Sequence, residues 1–354
     1  MKTFVKGMFF PVGGMLLAVA LLAGCSKKKD FSTFNSGDEI RISAGAASIS
    51  VGSTKSDIMR PTRAGDGAIQ SGHTSDLSVA FARIDQDASG NYPADYSGVA
   101  AALNATWKGS LTSSDADATD IVFATKQYYL ANGKGTKLVG WYPQGTFNAG
   151  VITLAVDGDS DILLSQELEG NKVNGSRFGQ TGKIFKFDHQ LTWLKFAAYA
   201  ADADALDVWG NITSIKLKDQ AENCTITLPK TVAFSTTLKD MNLVAKKYSD
   251  GTAIDYTGDG LVVGVAEANK VECGYALVPP VGDDGSLKLV LDTSIGGQKE
   301  VSLSLPKAAD GTTVLGFEVG KEYEIRLIFT VSEIKPTATI TDWIQVSDPV
   351  EVPL

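Results

Sequence analysis

Residues 320–331 read GKEYEIRLIFTV. Tyr323, Ile325, Leu327, Phe329 and Val331 alternate with Glu322, Glu324, Arg326 and Thr330, the period of two that puts apolar side chains on one face of a half-buried β-strand. Upstream, Leu287, Leu289 and Leu291 run into Gly296-Gly297 and return through Val301, Leu303 and Leu305, which predicts an antiparallel hairpin. In KIFKFDHQLTWLKFAAY (183–199), Phe185, Phe187, His189, Leu191 and Trp193 share one face before the apolar phase slips to Leu194, Phe196 and Ala198. Such a slip predicts a bulge or a strand that passes from one sheet to another. Further upstream, KLVGWYPQGTF (137–147) reads as a strand ending at Pro143, followed by the shorter strands VITLAV (151–156) and DILLSQ (161–166).

The rest of the composition agrees with these strands. The chain has 354 residues and 36 glycines, a length suited to about two domains and a glycine content suited to an all-β protein with many turns. TSSDADATD (112–120), NKVNGSRFGQTG (171–182) and AADADALD (200–207) read as loops by composition. A boundary in the Gly-rich loop 170–182 would divide the mature chain into two β-sandwiches, 64–179 and 180–354.

The N-terminus carries an address. Lys2 and Lys6 precede the apolar run FFPVGGMLLAVALL (9–22), and the segment 1–24 has the layout of a secretory signal peptide. The run is too short to span a membrane as a helix. Cys25 directly after Leu22-Ala23-Gly24 resembles the bacterial lipobox, in which the thiol is acylated, with palmitate among the chains, and the signal is cut just before it. Removing everything up to Arg63 takes away nine basic and four acidic residues, so the net charge moves from −9 to −14. A chain this acidic repels nucleic-acid phosphates and anionic lipid, so the expected membrane contact is through the lipid alone.

Little in the sequence points to catalysis, and no cofactor is expected. Of two histidines, His73 lies in a Gly-Ser segment and His189 on an apolar strand face, where a hydrogen-bonded core residue is the expected role. There is no G-x-S-x-G, no H-E-x-x-H and no phosphate loop; GKGTK (133–137) reads as a hairpin turn. Asp157-Gly158-Asp159-Ser160-Asp161 opens like a calcium loop, but Ile162 stands where that loop needs Gly and Leu168 where it needs Glu. A solvated acidic turn is the expectation there, and no metal is expected. Cys224 and Cys273 fall in phase with apolar neighbours and are expected to point inward, either as a disulfide or as buried thiols. Of the five tryptophans (Trp107, Trp141, Trp193, Trp209 and Trp343), Trp193 and Trp343 lie in strand phase, and Trp107 and Trp209 near loops are the candidates for exposed stacking surfaces.

GWYP (140–143), FDHQLTWLKF (187–196), YALVPP (275–280), GKEYEIRLIFT (320–330) and ATITDW (338–343), in this order and behind a lipobox, resemble the fimbrillin-like proteins, the subunits of type V pili in anaerobic Gram-negative bacteria. The resemblance implies two transthyretin-like β-sandwich domains in tandem and no enzymatic activity. It further implies export as an outer-membrane lipoprotein, then cleavage by an arginine-specific protease that releases the first strand and allows assembly with other fimbrial subunits at the cell surface, in support of adhesion. Residues 25–63 would then be a tether and first strand.

Alternation in DEIRISAGAASISV (38–51) supplies that strand, with Ile40, Ile42 and Ala44 on one face and, after Gly45, Ala47, Ile49 and Val51 on another. The candidate donor strand is the C-terminal stretch, where Val350, Val352 and Leu354 alternate, although Pro349 and Pro353 remove ladder donors. In DIMRPTRAGDG (57–67) the processing site is expected between Arg63 and Ala64, Arg60 being the poorer site because Pro61 follows it. The other reading is a monomeric surface lipoprotein that binds glycan or host protein through exposed tryptophans.

Overall fold

Side chains that alternate along many strands need either a sheet closed on itself or two sheets face to face. The computed structural model of the chain, which describes residues 38–46, 68–69, 75–109, 119–307, 312–342 and 350–351, uses both. Strands β1 (Ile42–Ala46), β2 (Leu77–Asp85), β3 (Leu103–Trp107), β4 (Thr119–Phe123), β5 (Thr136–Tyr142), β6 (Thr146–Asn148), β7 (Val151–Ala155), β8 (Leu163–Ser165), β9 (Leu168–Gly170) and β10 (Phe185–His189) make up the first part. Eight of them are hydrogen-bonded in the order β2-β3-β4-β1-β10-β8-β5-β9, and β5 also pairs with β2. The sheet therefore closes into a barrel, with β9 added on β5.

The second part holds β11 (Thr192–Ala200), α1 (Ala203–Trp209), β12 (Ile212–Ala221), β13 (Asn223–Thr227), β14 (Thr231–Phe234), β15 (Leu238–Asn242), β16 (Val271–Val278), β17 (Leu287–Thr293), β18 (Gly297–Leu303), β19 (Lys321–Phe329), β20 (Ile334–Asp342) and β21 (Val350–Glu351). Two sheets, β16-β11-β19-β20-β21 and β15-β12-β17-β18, share one core; Leu194, Phe196, Ile325 and Leu327 come from the first, Ile215, Leu217, Leu289 and Leu291 from the second.

The expected strands are present with informative differences. In β19, Tyr323, Ile325, Leu327 and Phe329 are all buried as the alternation requires, but the strand ends at Phe329 and Val331 is exposed. Glu322 is buried too, because Lys195 on the neighbouring β11 meets it at 2.9 Å; burial raises its carboxyl pKa, and Lys195 opposes that shift. The chain changes sheet before Trp193, between β10 in the barrel and β11 in the next sheet; the slip after Trp193 lies inside β11, where Trp193 and Leu194 are both buried, and a register shift follows at Phe196/Ala197. The stretch 200–207, expected as a loop, instead leads into α1, which begins at Ala203. Asp202 caps it by accepting from the Ala205 N–H at 2.9 Å, and Gly210 ends it with φ of 70°.

The sheets also divide the chain differently from 64–179 and 180–354. The barrel runs on to His189, since β10 pairs with both β1 and β8. Strands β6 and β7, from before the expected boundary, form a four-stranded sheet with β13 and β14 from after it, in register from Asn223↔Ala155 to Thr227↔Val151. The reason lies in burial. Ala80, Ala82, Val139 and Trp141, on the outer wall of the barrel, pack into the same cluster as the second part's core, so β2 and β5 are apolar on both faces.

Ile325 lies at the centre of this shared core. Its replacement by Ala should cost about 2–5 kcal/mol, read as a lower denaturant midpoint at unchanged slope; a loss below about 1 kcal/mol would contradict the packing described.

Candidate functional site

The first strand is a stave in the barrel wall. β1 runs antiparallel to β4, with Ile42↔Ile121, Ser43↔Asp120 and Ala44↔Thr119 opposite, and parallel to β10, with Ala44↔Phe185, Gly45↔Lys186 and Ala46↔Phe187 opposite. The pairing extends upstream through the Ile40 N–H to the Gln127 carbonyl at 2.8 Å and the Tyr129 N–H to the Asp38 carbonyl at 3.0 Å. Ile40, Ile42 and Ala44 are buried in the barrel core, while Arg41 on the other face is exposed. Burial of the two isoleucines contributes roughly 1.5–3 kcal/mol each. The ion pairs beside them, Lys126–Glu39 at 3.3 Å and Arg177–Asp38 at 3.8 Å, are solvent-accessible and add little. Apolar fit and the ladder hold this strand.

The barrel interior next to β1 is filled by rings. Phe185 stands 5.2 Å from Phe81 and 5.8 Å from Phe178, and Phe187 stands 4.8 Å from Trp107 and 6.2 Å from Phe81, measured between centroids. The staves make room with small residues. At Gly140 on β5 an added Cβ would fall 2.5 Å from Phe81 and 2.9 Å from Phe187, and on β1 the residue opposite Phe185 is Ala44. A cleft of about 470 Å³ flanks the strand, bounded by Arg41, Ile42, Ser43, Tyr129, Arg177 and Phe178. At its wall, Gly179 has φ of +78°, and a Cβ there would lie 3.2 Å from the Arg41 carbonyl.

The chain re-enters the fold at residues 68–69. Ala68 packs into the shared core and Ile69 into the barrel core, so this dipeptide plugs the junction between them. The Ile69 N–H donates at 3.1 Å to the fully buried Asp161 carboxylate, which also receives the Ile162 N–H at 2.8 Å and contacts His189 Nδ1 at 2.8 Å. His189 is thus the hydrogen-bonded core residue that its strand phase implies. The aspartates that open like a calcium loop diverge. Asp157 caps its own turn through the N–H groups of Asp159 and Ser160, Asp159 pairs with Lys246 at 3.1 Å and accepts from the Tyr275 hydroxyl, and Asp161 turns inward. Only the first matches the solvated turn expected; burial pushes the Asp159 carboxyl pKa up against the pull of Tyr275 and Lys246.

Cys224 and Cys273 are buried free thiols, and burial pushes the Cys224 thiol up to about 12 and the Cys273 thiol up as well. Trp107 and Trp209, expected as exposed stacking surfaces, are both buried. The Trp107 ring lies against Phe187 and its Nε1–H donates to Thr119 Oγ1 at 2.8 Å, while Trp209 Nε1–H donates to the Thr330 carbonyl at 2.7 Å. Trp141 and Trp193 are buried too, so among the described residues no tryptophan offers a platform. Cys25, Ala47, Ile49, Val51, Arg60, Arg63, Ala64, His73, Trp343, Val352 and Leu354 lie outside the described residues. Val350 pairs with Ile340 at the edge of the second part's five-stranded sheet.

A family described as fimbrillin-like matches residues 62–343. No curated protein matches the chain. Among solved structures, a "putative cell adhesion protein" of Bacteroides uniformis is 15% identical with a TM-score of 0.52, over 88% of this chain and 100% of that one. A second protein so described, from Bacteroides ovatus, is 14% identical with a TM-score of 0.47, over 88% and 99%. The C-terminally truncated tip fimbrial protein Mfa3 of Porphyromonas gingivalis is 10% identical with a TM-score of 0.42, over 86% and 99%. The first of these shares the fold.

Hydrogen bonds to a buried carboxylate contribute about 1.5–3 kcal/mol each. Asp161→Asn should therefore raise the exchange rate of the Ile69 amide about tenfold or more in hydrogen-exchange measurements, and unchanged protection would show that packing alone holds residues 68–69.

Proposed function

This chain belongs to the fimbrillin-like family, whose members are structural proteins of the cell surface rather than enzymes, and from that membership we propose that it is a fimbrial subunit that assembles by exchange of its first strand. In this reading the precursor is exported, acylated at Cys25 and held at the outer membrane by lipid; no helix among the described residues is long and apolar enough to cross a membrane. An arginine-specific protease then cuts between Arg63 and Ala64. Arg60 is disfavoured by Pro61, and Arg41 by its place in the ladder beside Ile40 and Ile42.

One observation carries this reading. The segment 47–67 that contains both arginines starts and ends beside one strand: Ala46 lies opposite Phe187 on β10, and the Ile69 N–H shares the carboxylate that holds His189 at the end of β10. A cut anywhere in those residues severs the covalent link between β1 and the rest of the fold without severing another described strand. Loss of β1 then exposes one row of unpaired groups on β4 and another on β10, with the apolar faces of Ile121, Phe185 and Phe187 between them. Such an opening is unstable alone and suited to a strand from a neighbouring subunit. Val350, Val352 and Leu354 remain the candidate donor strand that this chain offers to another subunit. The glycan-binding alternative has no supporting observation, because its stacking tryptophans are buried.

Incubation of the purified chain with an arginine-specific protease should give a single new N-terminus at Ala64 by mass spectrometry and, once other fimbrial subunits are added, ladders that resist SDS without boiling. Cut protein that stays monomeric in the presence of other fimbrial subunits would exclude assembly by strand exchange.

A further inference from the structure

The opening left by β1 is not equally receptive to every strand. We propose that it selects by size: it takes an extended strand from a different subunit that carries bulky aliphatic residues at two successive inward positions and Ala, Gly or Ser at the third, opposite Phe185. This rests on the strand-exchange reading above and names the partner that reading requires.

The pattern follows from the wall on either side. Beside Ile42 the inward neighbour on β4 is Ile121, and the register with β10 begins only at Ala44, so aliphatic bulk at positions 40 and 42 is accommodated. At the next inward position the neighbour on β10 is Phe185, whose ring is in contact with Phe81 and Phe178. Ala44 there is fully buried. The same stack of rings forces Gly140 on β5, where a Cβ would collide with Phe81 and Phe187. Small residues on two separate staves thus answer to one cluster of aromatic rings, and a larger side chain at position 44 overpacks a filled interior.

The chain's own C-terminal stretch does not meet this requirement. In WIQVSDPVEVPL (343–354), Ile344-Val346 and, in reverse, Val352-Val350 each lead to Asp348, which would bury an unpaired charge opposite Phe185. Val350-Val352 leads forward to Leu354, which is too large. In neither phase nor direction do two bulky aliphatic residues lead to Ala, Gly or Ser. This subunit therefore accepts a strand from a chain of different sequence and does not polymerise with itself through this opening.

Fluorescein-labelled peptides offered to the Arg-cleaved chain, freed of its released fragment, test this by polarisation. A peptide of residues 38–46 should bind, its Ala44→Leu counterpart about tenfold or more weakly, and a peptide of residues 343–354 not measurably at the same concentrations. Phe185→Val in the receptor should bring the Leu-bearing peptide back to within a few fold of the native one; should that variant not fold, the peptide series on the unmodified receptor still decides. Equal binding of the Leu-bearing or the C-terminal peptide would overturn size selection. If the 38–46 peptide fails to bind while cut protein still forms SDS-resistant ladders with other fimbrial subunits, the opening is not the acceptor and the proposal falls alone. If it fails and no ladders form with other fimbrial subunits, strand exchange itself falls.

Discussion

A strand hydrogen-bonded on both flanks inside a closed barrel cannot leave without stranding two rows of backbone donors and acceptors, and this constraint on β1 organises the account. Each unpaired buried amide or carbonyl costs free energy comparable to a lost hydrogen bond, and the apolar lining exposed with them adds to the cost. The barrel without β1 is therefore a high-energy state whose relief is another strand in the same place. Ile40, Ile42 and Ala44 show what such a strand must bury, and the rings of Phe81, Phe185 and Phe187 set the limit on its size.

The proposed release of β1 requires that the rest of the molecule hold together by contacts that do not involve this strand. The β7–β13 pairing joins the first part to the second by a sheet that does not include β1, and Ala80, Val139 and Trp141 tie the barrel's outer wall to the shared core. Residues 68–69 remain anchored by Asp161 after any cut upstream of them. In the proposed function β1 is the stave that leaves, and these contacts hold the body that remains.

Much of this was visible in local patterns. Tyr323, Ile325, Leu327 and Phe329 identify β19 because one face of that strand is buried, whereas the change of phase after Trp193 reflects a strand buried on both faces and not the passage between sheets, which lies just before β11. Ile40, Ile42 and Ala44 announce a strand for the same reason as β19. What the sequence does not show is which strands stand beside β1, since β10 lies some 140 residues away and pairing at such separation leaves no local trace. Asp161 resembled a solvated turn because its buried partners, the Ile69 amide and His189, come from distant segments. Trp107 and Trp209 looked exposed because they sit near loops, whereas each ring finds both an apolar cover and an acceptor only in the folded chain. Glu322 is the same case, a charge on a strand that is hidden by Lys195 from the neighbouring strand.

The central claim is that β1 must leave the barrel before the subunit can assemble. Ser43 and Asp120 are register partners on the outward faces of β1 and β4, so Ser43→Cys combined with Asp120→Cys places two thiols at the separation a disulfide spans. The account predicts that the oxidised variant, cut by an arginine-specific protease in the presence of other fimbrial subunits, stays unassembled, and that reduction of the bond releases β1 and restores SDS-resistant assembly. Equal assembly of the oxidised and reduced forms would contradict it.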